Sequence, residues 1–198
     1  MTLEGLCARV KSDLTQVEFA LVGGLAVGAR TEPRFTADLD LAVIISDDQQ
    51  AEQLLRYLMS RGYHLTALVE QTWVGRLATA RVRLNQSAPI LDLLFASSGI
   101  EVETVTGAEP LEIFPGLVIP VADIPHLIAL KVLARDDDRR EQDRGDLRRL
   151  IGKANATQLD VAQSLLARIE ERGFHRGKAL QQLFQRALTE FGKRKVNP

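Results

Sequence analysis

Two short motifs near the start of the chain combine residue types suited to phosphate and metal binding. Gly23 and Gly24 follow a short apolar run, and Asp38 and Asp40 come after a further thirteen residues, in the sequence Asp-Leu-Asp-Leu. A glycine pair between a strand and a helix lets backbone N–H groups approach phosphate oxygens without obstruction by side chains. Carboxylates two residues apart on a strand point to the same face, so both can bind the same magnesium ions. The two motifs together predict a site for a triphosphate and Mg²⁺.

Asp92 is the candidate for a third carboxylate in such a site. It is the single acid in the apolar run of residues 90–95, a run that predicts a strand. In a two-metal site one ion activates the attacking oxygen and the other stabilises the leaving oxygen, and a third carboxylate usually completes the set. Taken singly, each motif is more typical of a turn, a solvated strand end or a helix cap. Their order along the chain, each on an element of the expected type, favours an active site.

The hydrophobic pattern predicts the elements that must position these residues. Apolar runs and helical stripes alternate through the first 120 residues, and the pattern is helical after Asp123, a candidate N-cap with Pro125 in the first turn. We therefore expect an α+β fold with a core at 1–120 and a helical C-terminal subdomain at 121–198. The elements predicted in the core are a helix from residue 3, a strand at 19–22, a helix at 25–30, a strand at 39–45, a helix at 49–60 and strands between 63 and 95.

The composition excludes several other classes of protein. Apolar residues make up 45% of the chain and the net charge is −1, values typical of a globular domain with a sizeable core. Cys7 is the only cysteine, so the chain cannot form an internal disulfide. The sequence has no signal-peptide pattern and no run of about 18 apolar residues, so we expect a cytoplasmic protein without membrane segments. A small basic excess after Lys153 is typical of a solvated helical surface.

Segments from both halves of the chain match the pattern of one known family. The first half has the glycine pair followed by Asp-Leu-Asp-Leu, and the second has a lysine-containing helix followed by Gln-Asp-x-x-Asp-Leu. The matching positions are 23–27, Arg30, Thr36, 38–41, 130–135 and 142–147, within a span of residues 21–150. This pattern resembles the DNA-polymerase-β-type nucleotidyltransferase superfamily, and within it the AbiEii/AbiGii toxin family of bacterial nucleotidyltransferases. The resemblance implies a nucleotidyltransferase-like mixed sheet with flanking helices.

The same resemblance implies a reaction and a set of site residues. The reaction moves a nucleoside monophosphate from an NTP to an acceptor hydroxyl, with Mg²⁺, and releases pyrophosphate. An RNA acceptor, such as the 3′ end of tRNA, and a cognate antitoxin protein are the implied partners. The implied roles are phosphate binding by Gly23 and Gly24, metal binding by Asp38 and Asp40, metal binding or general-base catalysis by Asp92, contact with the triphosphate by Lys131, and lining of the cleft by Asp143 and Asp146.

Several residues near these motifs have two interpretations. Arg30 and Arg34 lie between the glycines and the aspartates, where one could contact phosphate in a bidentate fork or merely pair with an acid and fix the loop. Thr36 could bind phosphate or shape the turn. Arg81 lies with Arg83 on one strand face and could contact a nucleic-acid backbone if that face lines the cleft. For the single tryptophan, Trp73, we expect a place in the core rather than a stacking role.

Two other functions compete with the toxin-like one. An enzyme with the same chemistry could act on a small molecule such as an aminoglycoside-type antibiotic, and acids in the acceptor cleft would favour it because such drugs are polycations. A catalytically silent nucleotide-binding module could keep the fold alone. The usual sign of such a module is a lost carboxylate, and all three candidates are present here.

Overall fold

A computed structural model describes residues 1–135 and 141–192 of the chain. Strands and helices are mixed up to residue 121, and every described element after that point is a helix. In chain order the elements are α1 (Leu3–Asp13), β1 (Phe19–Val22), α2 (Gly23–Arg30), β2 (Asp38–Val43), α3 (Asp48–Ser60), β3 (His64–Gln71), β4 (Arg76–Arg83), β5 (Ile90–Leu94), α4 (Glu101–Thr106), β6 (Glu109–Phe114), β7 (Leu117–Val121), α5 (Ile124–Ala134), α6 (Glu141–Lys153), α7 (Ala156–Glu171) and α8 (Leu180–Phe191).

The strands form one mixed sheet in the order β3-β4-β5-β2-β1-β7-β6. β1 pairs antiparallel with β2, whereas β2 with β5 and β1 with β7 are parallel pairs. The register places Val22 beside Asp40 and Asp40 beside Asp92, so three adjacent strands contribute to one row of residues. The predicted α+β fold, with a mixed sheet and flanking helices, is confirmed.

β2 lies in the middle of this sheet, and its sequence alternates accordingly. Leu39 and Leu41 are buried in the core, whereas Asp38 and Asp40 on the other face stay partly accessible. This is the period of two that a strand imposes on its side chains. The apolar half of the Asp-Leu-Asp-Leu motif therefore holds the strand in place, and its acidic half faces away from that core.

The structure corrects some of the predicted boundaries. α2 begins at Gly23, two residues earlier than predicted, because the glycine pair forms its first turn. β2 runs from Asp38 to Val43 rather than from 39 to 45, since its pairing with β5 begins at Asp38. The hydrophobic pattern does not predict α4, β6 or β7. β6 is an edge strand with exposed or half-exposed residues throughout, so it lacks the apolar run that would reveal it.

α5 connects the sheet to the C-terminal helices. The Asp123 carboxylate caps α5 by accepting the N–H of His126 at 3.0 Å, and Pro125 lies in the first turn, as predicted. α5 is largely buried and packs against α2, α6, α7 and α8. The division of the chain into two domains near residue 120 stays a prediction. None of the described helices is long and apolar enough to cross a membrane.

Arg30 fixes the end of α2 against the sheet. Its Nε and Nη2 donate to the carbonyl oxygens of Ala122 and Val121 at 3.0 and 2.7 Å, and its Nη1 donates to Glu109 at 2.6 Å. Arg30 is the last residue of α2 and is not among the residues that line the cleft described below. These three contacts direct its guanidinium to β7 and β6, and its ion pair with Glu109 agrees with the interpretation that it pairs with an acid. A contact of Arg30 with phosphate stays a prediction.

We expect Arg30→Ala to lower the free energy of unfolding by about 2–3 kcal/mol, because two carbonyl groups lose a charged hydrogen-bond donor. Glu109→Gln is the matched control. The Glu109 side chain is 64% exposed, so its loss should cost less than about 1 kcal/mol. Urea unfolding measures both variants. Unchanged stability together with weaker nucleotide binding would instead indicate that Arg30 contacts the nucleotide.

Candidate active site

A cleft of about 670 Å³ opens where the start of β2 meets the N-terminus of α2. Its walls come from the segment before β2, from β4 and β5, from α5 and α6, and from the loop between α7 and α8. The predicted residues that line it are Gly23, Gly24, Thr36, Asp38, Asp40, Asp92, Lys131 and Asp143. Sequence reasoning therefore identified residues that the tertiary structure brings to one place, although they come from five separate segments.

Gly23 and Asp40 are in direct contact at the floor of the cleft. A Cβ atom on Gly23 would lie only 1.9 Å from Asp40 Oδ2, so any side chain there would displace the carboxylate. Gly23 also has φ +66°, a left-handed conformation that glycine adopts without strain. Gly24 is similarly restricted, since its Cβ would lie 2.5 Å from the Arg34 guanidinium. The glycine pair thus serves close packing around the aspartate, besides any contact with phosphate.

Asp40 stands in the most acidic part of the cleft. Its pKa is raised to about 6, mainly by burial and also by the nearby carboxylates of Asp92 and Asp38, while Lys131 and Arg81 act in the opposite direction. Asp40 is adjacent to Asp92 in the parallel register of β2 and β5. Asp38, Asp40 and Asp92 thus lie near one another on two neighbouring strands, and their role as metal ligands stays a prediction.

Asp92 has a partner that the sequence did not reveal. Arg81 on β4 lies directly opposite in the antiparallel register, and its Nε and Nη2 donate to the two oxygens of Asp92, each at 2.8 Å. The alternation of β4 places Arg81 on the face opposite to buried Ala80 and Val82, but only the pairing of β4 with β5 shows which acid it meets. Arg81 thus belongs to the site because it holds the Asp92 carboxylate.

A network of ion pairs connects the second half of the chain to the cleft. Asp146 on α6 is fully buried and accepts two hydrogen bonds from Arg34, each at 2.7 Å. Lys131 on α5 lies 2.8 Å from Asp146 and donates to Asp143 at 2.6 Å. Arg34 therefore holds the segment before β2 against α6. This agrees with the interpretation that Arg34 pairs with an acid and fixes the loop. Thr36 donates a longer bond, of 3.4 Å, to the Asp38 carbonyl.

The loops after β5 and α7 also line the cleft, with residues that the sequence pattern did not single out. A buried carboxylate, that of Glu101, accepts the backbone N–H groups of Ser97 and Ser98 at 2.9 and 2.6 Å and so shapes the loop after β5. Arg176, from the loop after α7, donates to the Ser97 carbonyl and hydroxyl. The spacing Ser98-x-x-Glu101 is a helix-start signal that could have identified this loop; nothing local marks Arg176.

Trp73 does not lie in the core. It is 64% exposed in the turn between β3 and β4, with its ring 6.3 Å from that of His175. The expectation of a buried tryptophan is wrong because Trp73 lies in a turn beside the loop after α7, near His175, and stays accessible. Cys7, by contrast, packs inside the core, and burial raises its pKa to about 12, so it is no nucleophile.

The donor chemistry of the cleft fits a hard divalent cation in part. Carboxylate oxygens are the ligands that Mg²⁺ prefers, and Asp38 and Asp40 offer them on one strand face. Asp92 has both oxygens bonded to Arg81, although an ionised carboxylate has about four lone-pair positions and so keeps two. Within residues 1–135 and 141–192, no three acidic, histidine or cysteine side chains stand close enough to form a ready-made metal site.

Comparison with known proteins gives a family and a fold. The family model described as nucleotidyl transferase AbiEii toxin, type IV TA system, matches residues 6–196. No curated protein sequence matches the chain.

Solved structures with the same fold include an antibiotic-resistance factor and an antibiotic adenylyltransferase. The antibiotic-resistance factor ANT(2″)-Ia is 15% identical, with 86% of this chain and 90% of that one covered and a TM-score of 0.54. The lincosamide antibiotic adenylyltransferase LnuA, solved with lincomycin bound, is 14% identical, with 78% and 99% covered and a TM-score of 0.50. At these identities the likeness concerns the fold alone, and it confirms the nucleotidyltransferase-like architecture.

We expect Gly23→Ala to lower any nucleotide-dependent activity by about 100-fold or more, because a methyl group there displaces the Asp40 carboxylate and displacements of about 1 Å can have that effect. Gly28→Ala is the control in the same helix: its Cβ would meet neighbours only at ordinary distances of 3.6–3.7 Å. The steady-state rate of each variant is compared with that of the wild type. Equal activity would show that Asp40 does not need its present position.

Asp146→Asn should destabilise the protein by about 3–5 kcal/mol, since it removes the counter-charge of the Arg34 guanidinium and one of the two carboxylates that pair with Lys131. Glu52→Gln removes an exposed pair on α3 instead, with side chains 62% and 68% accessible, and should cost less than about 0.5 kcal/mol. Thermal or urea unfolding measures the stability of both variants. A fully stable Asp146→Asn variant would contradict the structural role of this aspartate.

Proposed function

We propose a specific reaction for this chain, which belongs to the AbiEii nucleotidyl transferase toxin family. In the proposed reaction a nucleoside monophosphate passes from an NTP to the hydroxyl at the 3′ end of a tRNA, with Mg²⁺, and pyrophosphate leaves. The observation that carries the proposal is the convergence of Asp38 and Asp40 with Asp92, beside the glycine pair at the start of α2.

The triphosphate would bind between the glycine pair and α5. The N–H groups of Gly23 and Gly24 open α2, and a helix N-terminus favours anionic groups. Lys131 lines the same cleft. Its ammonium has three donor hydrogens, of which Asp143 and Asp146 engage two, so the third can reach a phosphate oxygen. These contacts would hold the α-phosphate near the aspartates.

Asp38 and Asp40 are the residues we assign to the divalent cation. When bound, such an ion neutralises charge on the phosphate and polarises it toward attack. To Asp92 we assign the role of receiving the proton of the acceptor hydroxyl while the hydroxyl oxygen attacks the α-phosphorus in line. The bond to the bridging oxygen then breaks and pyrophosphate carries away the electron pair. Arg81 would keep the Asp92 carboxylate oriented throughout.

The acceptor would enter the same cleft, whose described lining also includes Glu70 and Arg176. Apart from Asp38, Asp40 and Asp92, the acids of that lining are Glu70 and Asp143, and Asp143 is paired with Lys131. This leaves fewer acids than a polycationic antibiotic would select. We therefore propose the 3′ end of a tRNA as the acceptor, and an antitoxin protein as a further partner.

A small-molecule acceptor is the second candidate. Glu70 lines the cleft and could pair with a cationic group on an antibiotic-type acceptor, and a cleft of about 670 Å³ has room for a small molecule. The acceptor, rather than the chemistry, is what separates the two candidates. A single assay with both classes of acceptor therefore decides between them.

We expect label from an α-labelled NTP to enter tRNA when the wild-type protein is supplied with Mg²⁺, and to enter no small molecule of a panel that includes aminoglycosides. EDTA should abolish transfer. Asp38→Asn, Asp40→Asn and Asp92→Asn should each lower the rate by about 100-fold or more, because each removes charge where the transition state needs it. Asp160→Asn, an exposed position on α7, serves as the control with unchanged rate.

Other results would contradict individual parts of the proposal. Label in a small molecule alone would exclude the tRNA acceptor and support the second candidate. Transfer that survives EDTA would exclude the divalent cation. A normal rate for Asp92→Asn would remove that residue from the site. NTP binding without transfer to any acceptor would indicate a catalytically silent nucleotide-binding module.

A further inference from the structure

Phe35 is the most exposed large hydrophobic residue in the described part of the chain. It is 90% accessible, compared with 64% for Trp73, the next in order. It is also the only aromatic residue among the described residues that line the cleft. Within the same ranges its ring contacts no other ring or cation and packs against no part of the core. The cleft therefore presents one uncovered aromatic face to whatever binds there.

The backbone that carries this ring is held from both sides. The Arg34 guanidinium is fixed by its double hydrogen bond to Asp146, and its Nη1 also donates to the Phe35 carbonyl at 2.9 Å. On the other side, Thr36 bonds the Asp38 carbonyl. Burial of Phe35 in the core would require these contacts to break. Its exposure is thus a consequence of how the segment before β2 is anchored.

The surrounding side chains indicate what kind of group could cover the ring. Arg34, which precedes Phe35 in the chain, and Lys131, which lines the same cleft, are already engaged with Asp146 and Asp143. An aromatic face carries partial negative charge and does not attract phosphate. A flat, uncharged, weakly polar ring is the group that gains most from contact with it, and nucleobases stack on aromatic side chains in this way.

We propose that Phe35 is the stacking platform for a nucleobase in this cleft, an assignment that rests on the proposed nucleotidyl transfer. The base belongs either to the NTP or to the terminal nucleotide of the RNA acceptor, and both present the same π face. Stacking of this kind accepts any base. Phe35 therefore supplies affinity for the ring system, while the glycine pair and the aspartates fix the phosphates and the reacting atoms.

Equilibrium binding to probes with and without a base tests the assignment. The probes are the four NTPs, inorganic tripolyphosphate, a short single-stranded RNA and the same RNA with an abasic 3′ end, each with Mg²⁺. We expect Phe35→Ala and Phe35→Leu to weaken binding of the NTPs, or of the RNA with an intact 3′ base, by about 5- to 150-fold, the loss of one base–aromatic stack. Phe35→Tyr should bind as the wild type does.

The base-free probes and a second aromatic position provide the controls. Binding of tripolyphosphate and of the abasic RNA should be the same in all Phe35 variants. Tyr57→Ala, at a half-exposed aromatic on α3, should leave every affinity unchanged. A loss limited to NTPs assigns the stack to the NTP base, and a loss limited to RNA assigns it to the acceptor base.

Three results would overturn the assignment while the proposed function stands. They are wild-type affinity of Phe35→Ala for both base-containing probes, an equal loss for tripolyphosphate, and full retention by Phe35→Leu, which would show that apolar bulk rather than a π face is needed. Failure of the wild-type protein to bind any NTP would instead contradict the proposed function itself, and the stack with it.

Discussion

The close approach of Gly23 to Asp40 is the constraint on which the site depends. A residue with a side chain cannot occupy position 23, because the Asp40 carboxylate fills the space that a Cβ would need. The left-handed backbone of Gly23 turns β1 directly into α2, and the antiparallel register puts Asp40 beside Val22. The glycine, the aspartate and the helix N-terminus are therefore positioned by one another. Loss of any one would move the other two.

A second set of contacts makes the helical half of the chain part of the same cleft. Asp146 is buried, yet it draws Arg34 from the segment before β2 and Lys131 from α5 into one network. Buried ion pairs of this kind contribute little net stability, but breaking one leaves an uncompensated charge and is costly. The network therefore acts mainly to specify geometry: it holds the cleft wall in one arrangement and leaves Phe35 facing outward.

Much of this was predictable because local patterns encode it. The Asp-Leu-Asp-Leu alternation predicts a strand with one acidic face, and the structure places Leu39 and Leu41 in the core as that pattern requires. The capping aspartate and proline at the start of α5 were equally clear. The edge strand β6 could not be predicted in this way, since a strand accessible on both faces needs no apolar run. The contacts of Arg30 were not predictable either, because the sequence does not record that β6 and β7 lie beside the end of α2.

The sequence by itself determined the residue types, the period of the central strands and the family, because these depend on short-range patterns and on motif order. Only the tertiary structure decided which charged side chains pair with one another. Arg81 meets Asp92 through the register of β4 with β5, and Arg34 meets Asp146 across more than a hundred residues of chain. Pairings of this kind arise when distant segments pack together, and no local spacing records which cation will face which carboxylate.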